Sequence, residues 1–144
     1  MKVTVFHNKH CEITHEVIGL KKMAVVDCGD REVDDALEYA WERTNNIYGS
    51  WSRGRYVEGE INNDYSEDVK VIAPLEKGWD GKEYGHRSSM VGDCFLTDPT
   101  SDGIGEFEDF KTYRVAPCGF EEITDKEFVD ARIAYSNRNR KLYP

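Results

Sequence analysis

Residues 30–41, Asp-Arg-Glu-Val-Asp-Asp-Ala-Leu-Glu-Tyr-Ala-Trp, decide the fold class. Val33, Ala36, Leu37, Ala40 and Trp41 recur at the spacing that puts side chains on one stripe of an α-helix. Asp34 and Asp35 sit where the helix dipole is positive, and Asn45-Asn46 followed by Gly49 predicts the stop. A helix with one apolar stripe needs a partner layer, and the flanking sequence offers strands.

Toward the N-terminus, Lys2-Val-Thr-Val-Phe6 and Lys22-Met-Ala-Val-Val-Asp-Cys28 are β-branched and apolar and predict two strands. The polar stretch between them reads as a loop or short hairpin arm. Toward the C-terminus, residues 47–86 are irregular, with single aromatic residues among glycines and one short strand at Val69–Ala73. After the Gly92-Asp93 turn, Cys94–Thr97, Phe110–Pro117 and Gly119–Ile123 predict an antiparallel meander with an acidic loop at 98–109. Thr124-Asp-Lys-Glu127 is a capping box that opens a C-terminal helix over about 125–136, with Phe128, Ala131, Ile133 and Tyr135 as a lid on the sheet. The fold class is therefore α+β: a small, mostly antiparallel sheet packed against one amphipathic helix, with a C-terminal helix, in one domain spanning 1–144.

Composition narrows the function classes. The 144 residues carry a net charge of −9 at pH 7. Successive thirds hold 6, 6 and 7 basic residues against 9, 9 and 10 acidic ones, so the charge is spread evenly. That balance argues against nonspecific nucleic-acid binding, which needs Lys and Arg against phosphate, and no acidic block imitates a polynucleotide. The basic tail Arg138, Arg140 and Lys141 reads as a solvated helix end. No run approaches the about 18 apolar residues of a spanning helix, and no secretory leader is visible, so a soluble cytoplasmic chain is expected. Cys11, Cys28, Cys94 and Cys118 show no C-x-x-C spacing and are expected as free thiols.

Two segments carry the candidate binding residues. Asn45, Asn46, Tyr48, Trp51, Arg53, Arg55 and Tyr56 combine turn formers with the residue types that dominate protein-interface hot spots. Trp51 has two readings, a ring folded back over the helix or a ring exposed at a binding surface. Arg87, Ser88 and Asp93 form either a turn or a polar patch facing the loop after the helix. His7, His10, Cys11 and His15 are weak metal-ligand candidates, because their close spacing falls in strand and loop sequence. No G-x-S-x-G, H-E-x-x-H or P-loop motif is present, so no catalytic residue is assigned and no cofactor is expected.

The order Thr44-Asn-Asn-Ile-x-Gly-Ser-Trp51, Arg87-Ser-x-x-Val-Gly-Asp93, Tyr113-Arg-Val-Ala116 and Gly119-Phe-Glu-Glu-Ile123 resembles small bacteriophage proteins of unknown function. It is also similar to the YodL-like domain of phage and plasmid polyvalent proteins. The resemblance spans about residues 33–123 and departs at Met90, where a second serine is usual, and in the long Thr97–Phe110 loop. It implies a protein acting on a host component, with counter-defence as the expected setting. Three readings follow: a host-protein binder using the Tyr48–Tyr56 and 98–109 loops, a nucleotide-like ligand binder built on Arg87, Arg53 and Trp51, and a small metal-dependent hydrolase using the histidines. Oligomeric state is left open.

Overall fold

The computed structural model describes residues 1–99 and 110–132. Residues 100–109 of the acidic loop, Ile133, Tyr135 and the basic tail lie outside the described residues.

The sheet is built on a long hairpin. Strands β1 (Lys2–His10) and β2 (Val17–Asp27) pair antiparallel along their length, so of the two readings of the polar stretch, loop or short hairpin arm, the hairpin arm is the one formed, and it is long. Backbone pairing overrides the polar composition there, because one edge of each strand is already committed to its partner. Helix α1 (Val33–Arg43) follows. The 47–86 segment contains two tiny hairpins, β3 (Tyr56–Val57) with β4 (Glu60–Ile61) and β6 (Glu76–Lys77) with β7 (Glu83–Tyr84). Between them β5 (Val69–Val71) joins the outer edge of β2. The meander β8 (Cys94–Asp98), β9 (Lys111–Val115) and β10 (Phe120–Ile123) docks on the other edge of β1. The result is one six-stranded antiparallel sheet, in the order β10-β9-β8-β1-β2-β5. It is larger than the sequence suggests, because the β1–β2 hairpin connects the two halves.

Alternation along the strands sends side chains to opposite faces. Val3 and Val5 of β1 and Phe95 of β8 meet Ala36, Leu37 and Ala40 of α1 on one face. Phe6 and Cys94, one residue out of phase, meet Ile123 and Phe128 on the other. Phe128 belongs to α2 (residues 125–132), and its ring stands edge-on to Phe6 at 5.0 Å between centroids. The capping box forms as its sequence dictates: Glu127 N–H donates to Thr124 Oγ1 at 3.1 Å, and Thr124 N–H donates to Glu127 Oε1 at 3.2 Å. Among the described residues, no helix is long and apolar enough to cross a membrane.

Candidate functional site

His7 lies two residues beyond Val5 on β1 and so points to the α1 side of the sheet. There it meets the C-terminal end of α1, where Thr44 closes the helix. Thr44 Oγ1–H donates to the Ala40 carbonyl at 2.8 Å, which uses its only proton. Ser89 Oγ lies 2.7 Å from Thr44 Oγ1, so the serine must donate to the threonine. His7 Nε2 lies 3.0 Å from Ser89 Oγ, so the imidazole must donate to the serine. This proton accounting fixes His7 as its Nε2–H tautomer, and its buried Nδ1, an acceptor, has no protein partner. Burial, the largest influence, lowers the His7 pKa to about 4; Asp93 opposes the shift, while Arg87 and His86 add to it. The ring is therefore neutral at pH 7.

Asp93 is the anchor beneath. It is fully buried, which a carboxylate tolerates only when paired and hydrogen-bonded. Arg87 clamps it with two bonds of 2.8 Å, one from each terminal nitrogen. The N–H groups of Asn8 and Met90 donate to it at 2.8 and 2.7 Å. The other ends of the clamp hold the chain around it: Arg87 Nη2 donates to the Asn8 carbonyl at 3.2 Å and Nη1 to the Ser88 carbonyl at 2.9 Å. Gly92 adopts φ +95°, a left-handed conformation that suits glycine, and so lets the chain turn Asp93 inward.

The two segments singled out in the sequence thus meet. Asn46 N–H donates to Ser88 Oγ at 2.8 Å, and Asn46 Nδ2 donates to the His86 carbonyl at 3.0 Å. Asn46 Oδ1 accepts from Trp51 N–H at 2.9 Å. Trp51 is 1% exposed, and its indole N–H donates to the Arg87 carbonyl at 2.8 Å. Its ring lies between His7 and His86, 6.0 Å from each. This corrects the reading of Trp51 as an exposed binding or stacking ring. Packed between two imidazoles, it joins the loop to the sheet. Arg87 and Arg53 do not form a stacking slot with it, since Arg87 is engaged by Asp93.

Beyond Trp51 the loop turns outward on a second scaffold. Asp64 Oδ2 accepts from three successive N–H groups, those of Ile47, Tyr48 and Gly49, at 2.7, 2.8 and 2.6 Å. Asn62, buried, accepts from Ser50 N–H at 2.9 Å and donates to the carbonyls of Ser50 and Gly54 at 2.6 and 2.9 Å. A β-carbon at Gly49 would collide with the Asn62 side chain, so this close approach requires glycine. Tyr48 is 83% exposed, and Ile47, Tyr56 and Ile61 are also exposed, on the same loop-and-hairpin unit. Asn45, at the helix end, donates its side-chain amide to the Trp41 carbonyl. Arg55 pairs with Glu67 and lies over the Tyr65 ring, 4.9 Å from its centroid, and Arg53 is half-buried.

Of the proposed binding residues, Trp51 and Asp93 are buried struts and Arg87 and Ser88 half-buried ones; Asn46 bonds Ser88, His86 and Trp51 yet is exposed, and Tyr48, Arg55 and Tyr56 face solvent. Thr44, Ser52, Asn62, Asp64, His86 and Ser89 were not singled out as binding residues. Each is a short polar residue or histidine in irregular sequence, and only its distant partner reveals its role. The weak metal candidates diverge: His7 is buried in the network, while His10 and His15 are exposed. Among the described residues, no group of three or more His, Cys, Asp or Glu side chains is placed to hold a metal ion. Beside the network, His7 and His86 line a cleft of about 380 Å³ between the β1–β2 hairpin and residues 84–87.

No family model matches this chain, and no match is found among curated proteins or solved structures.

Proposed function

We propose that this chain is a phage-type accessory protein that binds and modulates a host protein, with the loop after α1 and the β3–β4 hairpin as its gripping surface. The observation that carries the reading is the Asp64 carboxylate under Ile47, Tyr48 and Gly49. Three charge-assisted bonds hold a surface loop in one shape before any partner arrives, which reduces the ordering entropy that association costs. That loop displays an isoleucine and a tyrosine outward, with Tyr56 and Ile61 on the adjoining hairpin. Rigidly presented tyrosines and apolar side chains are the anchors that dominate interface energetics. The phage setting and the counter-defence role rest on the motif resemblance, whose residues supply the loop and its struts.

The test is affinity capture from a bacterial host lysate with the intact chain and with a Tyr48→Ala, Tyr56→Ala double variant. A partner retained by the intact chain and weakened at least tenfold by the variant supports the reading. Identical captured proteins with both chains overturn it, provided the variant unfolds at the same denaturant concentration as the parent.

A further inference from the structure

Trp79 is 100% exposed, more than any other large apolar side chain among the described residues. It stands in the turn of the β6–β7 hairpin, and that turn is braced. Gly78 N–H donates to the Lys82 carbonyl at 2.9 Å, and Gly81 N–H donates to the Gly78 carbonyl at 3.0 Å. Asp80 accepts from Lys82 N–H at 3.0 Å and from the Tyr84 hydroxyl at 2.8 Å. The Tyr84 ring lies so close to Gly78 that a β-carbon there would collide with it. The turn is thus fixed by its own bonds, and the indole it carries touches nothing in the chain. Taking that ring out of water requires another molecule.

The same hairpin forms one wall of the cleft beside the buried network. Glu76 of β6 and Tyr84 of β7 line it, across from Lys21 of β2, over the buried residues His7, Met23 and His86. Its volume of about 380 Å³ is large enough for one indole. Its walls carry what an indole engages: the Lys21 ammonium for the ring face, and the Glu12 and Glu76 carboxylates as acceptors for the ring N–H.

Charge selects the occupant. Two copies of a chain of net charge −9 repel each other, so they can meet only where the charge cancels. The exposed face of α1 fails this condition, with Glu32, Asp34, Asp35 and Glu38 together. The hairpin and cleft meet it. On the hairpin, Lys77 and Lys82 balance Asp80 and Glu83, and along the cleft, Lys9 and Lys21 balance Glu12 and Glu76. Arg87, also at the cleft, is neutralised by Asp93.

We propose that two copies of this chain associate through this face about a two-fold axis, each placing its Trp79 ring in the cleft of the other. Ring and cleft share one hairpin, so a single axis beside it satisfies both copies and closes the contact. Two indoles burying about 150–250 Å² each make a small interface. The pair is therefore weak, and the chain is monomeric at the dilution of an unfolding assay.

The test is sedimentation equilibrium of the intact chain from micromolar to millimolar concentration, with the methionine methyl resonances followed by NMR over the same range. The mass should rise toward that of two chains. The Met23 methyl should move with it under the ring current of the arriving indole, while Met1, packed against the α1 core, stays in place. Trp79→Ala should weaken association at least tenfold, the loss of a central tryptophan anchor, with no change in unfolding because the ring is exposed in the single chain. A mass that stays at one chain overturns the proposal, as does a pair that survives Trp79→Ala or leaves the Met23 methyl unmoved. Growth beyond two copies overturns the two-fold closure.

Discussion

His7 makes the folded chain sensitive to acid in a way that can be isolated. Its pKa falls from an ordinary 6.5 to about 4 on folding, chiefly because the ring is taken out of water. Between those two values the unfolded chain binds a proton that the folded chain refuses. Stability is therefore complete above about pH 6.5 and falls as the pH drops toward 4. The gap corresponds to roughly 3 kcal/mol over the whole window, at about 1.4 kcal/mol per pH unit, and to about 2 kcal/mol at pH 5. Carboxylates titrate in the same range, so the informative quantity is a difference between two chains. His7→Gln keeps an N–H donor for Ser89 and does not titrate. Urea unfolding of both chains from pH 7.5 to 4.5 should show the parent losing its advantage over the variant by about 2 kcal/mol at pH 5, with unchanged dependence on urea concentration. Parallel stability curves for the two chains would refute the reasoning. An NMR titration placing the His7 midpoint near 6.5 would refute it equally, because the ring would then be protonated while folded.

The other expectations concern the same network and its neighbours. Arg87→Met strands the fully buried Asp93 carboxylate and should cost about 3 kcal/mol or more by urea unfolding, while the double variant with Asp93→Asn recovers part of that loss. Recovery fails if the pair is not coupled. Trp51→Ala removes a buried ring and orphans the Arg87 carbonyl, for about 3–5 kcal/mol. Trp79→Ala removes a fully exposed ring and should stay within about 0.5 kcal/mol in the same assay. Asp64→Ala should speed amide exchange at Ile47, Tyr48 and Gly49 while leaving β1 amides protected; slow exchange at all three would show that the loop is held by something else.

The parts of the fold that were legible are those whose information is local. The 3.6-residue stripe of α1 lies in eleven consecutive residues, and the capping box of α2 lies in four. The meander was legible for the same reason, since each strand pairs with its sequence neighbour. The length of the β1–β2 hairpin was hidden because His7, Asn8 and Lys21 do not look like strand residues. Their pairing is decided by the ladder rather than by side-chain preference. The β3–β4 hairpin was hidden because its two-residue turn uses Glu58 at φ 51° beside Gly59, where Asn or Asp is the usual signal. The candidate site was half legible. The two motif segments were visible as unusual, but their mutual contact spans about forty residues of sequence and is written in no local period.

That contact explains why one motif supplies both buried and exposed residues. A loop can present Tyr48 rigidly only if its root is fixed, and the root here is fixed by polar atoms. Thr44, Asn46, Ser88, Ser89 and Asp93 each satisfy a specific partner, so sliding the loop by one residue would break several hydrogen bonds at once, the Thr44–Ser89 bond among them fully buried. An apolar plug of the same volume would hold the two segments together but would tolerate such a slip, because dispersion contacts are not directional. Arg87 is 36% exposed at its side chain, so the clamp on Asp93 is reachable from solvent at one end and sealed at the other. The motif's charge pair is therefore best understood as what sets the register of the loop, and the rings it positions as what meets a partner. The double variant of Arg87 and Asp93 separates these roles: if it folds, the backbone N–H groups of Tyr48 and Gly49 should lose exchange protection although neither residue touches the pair.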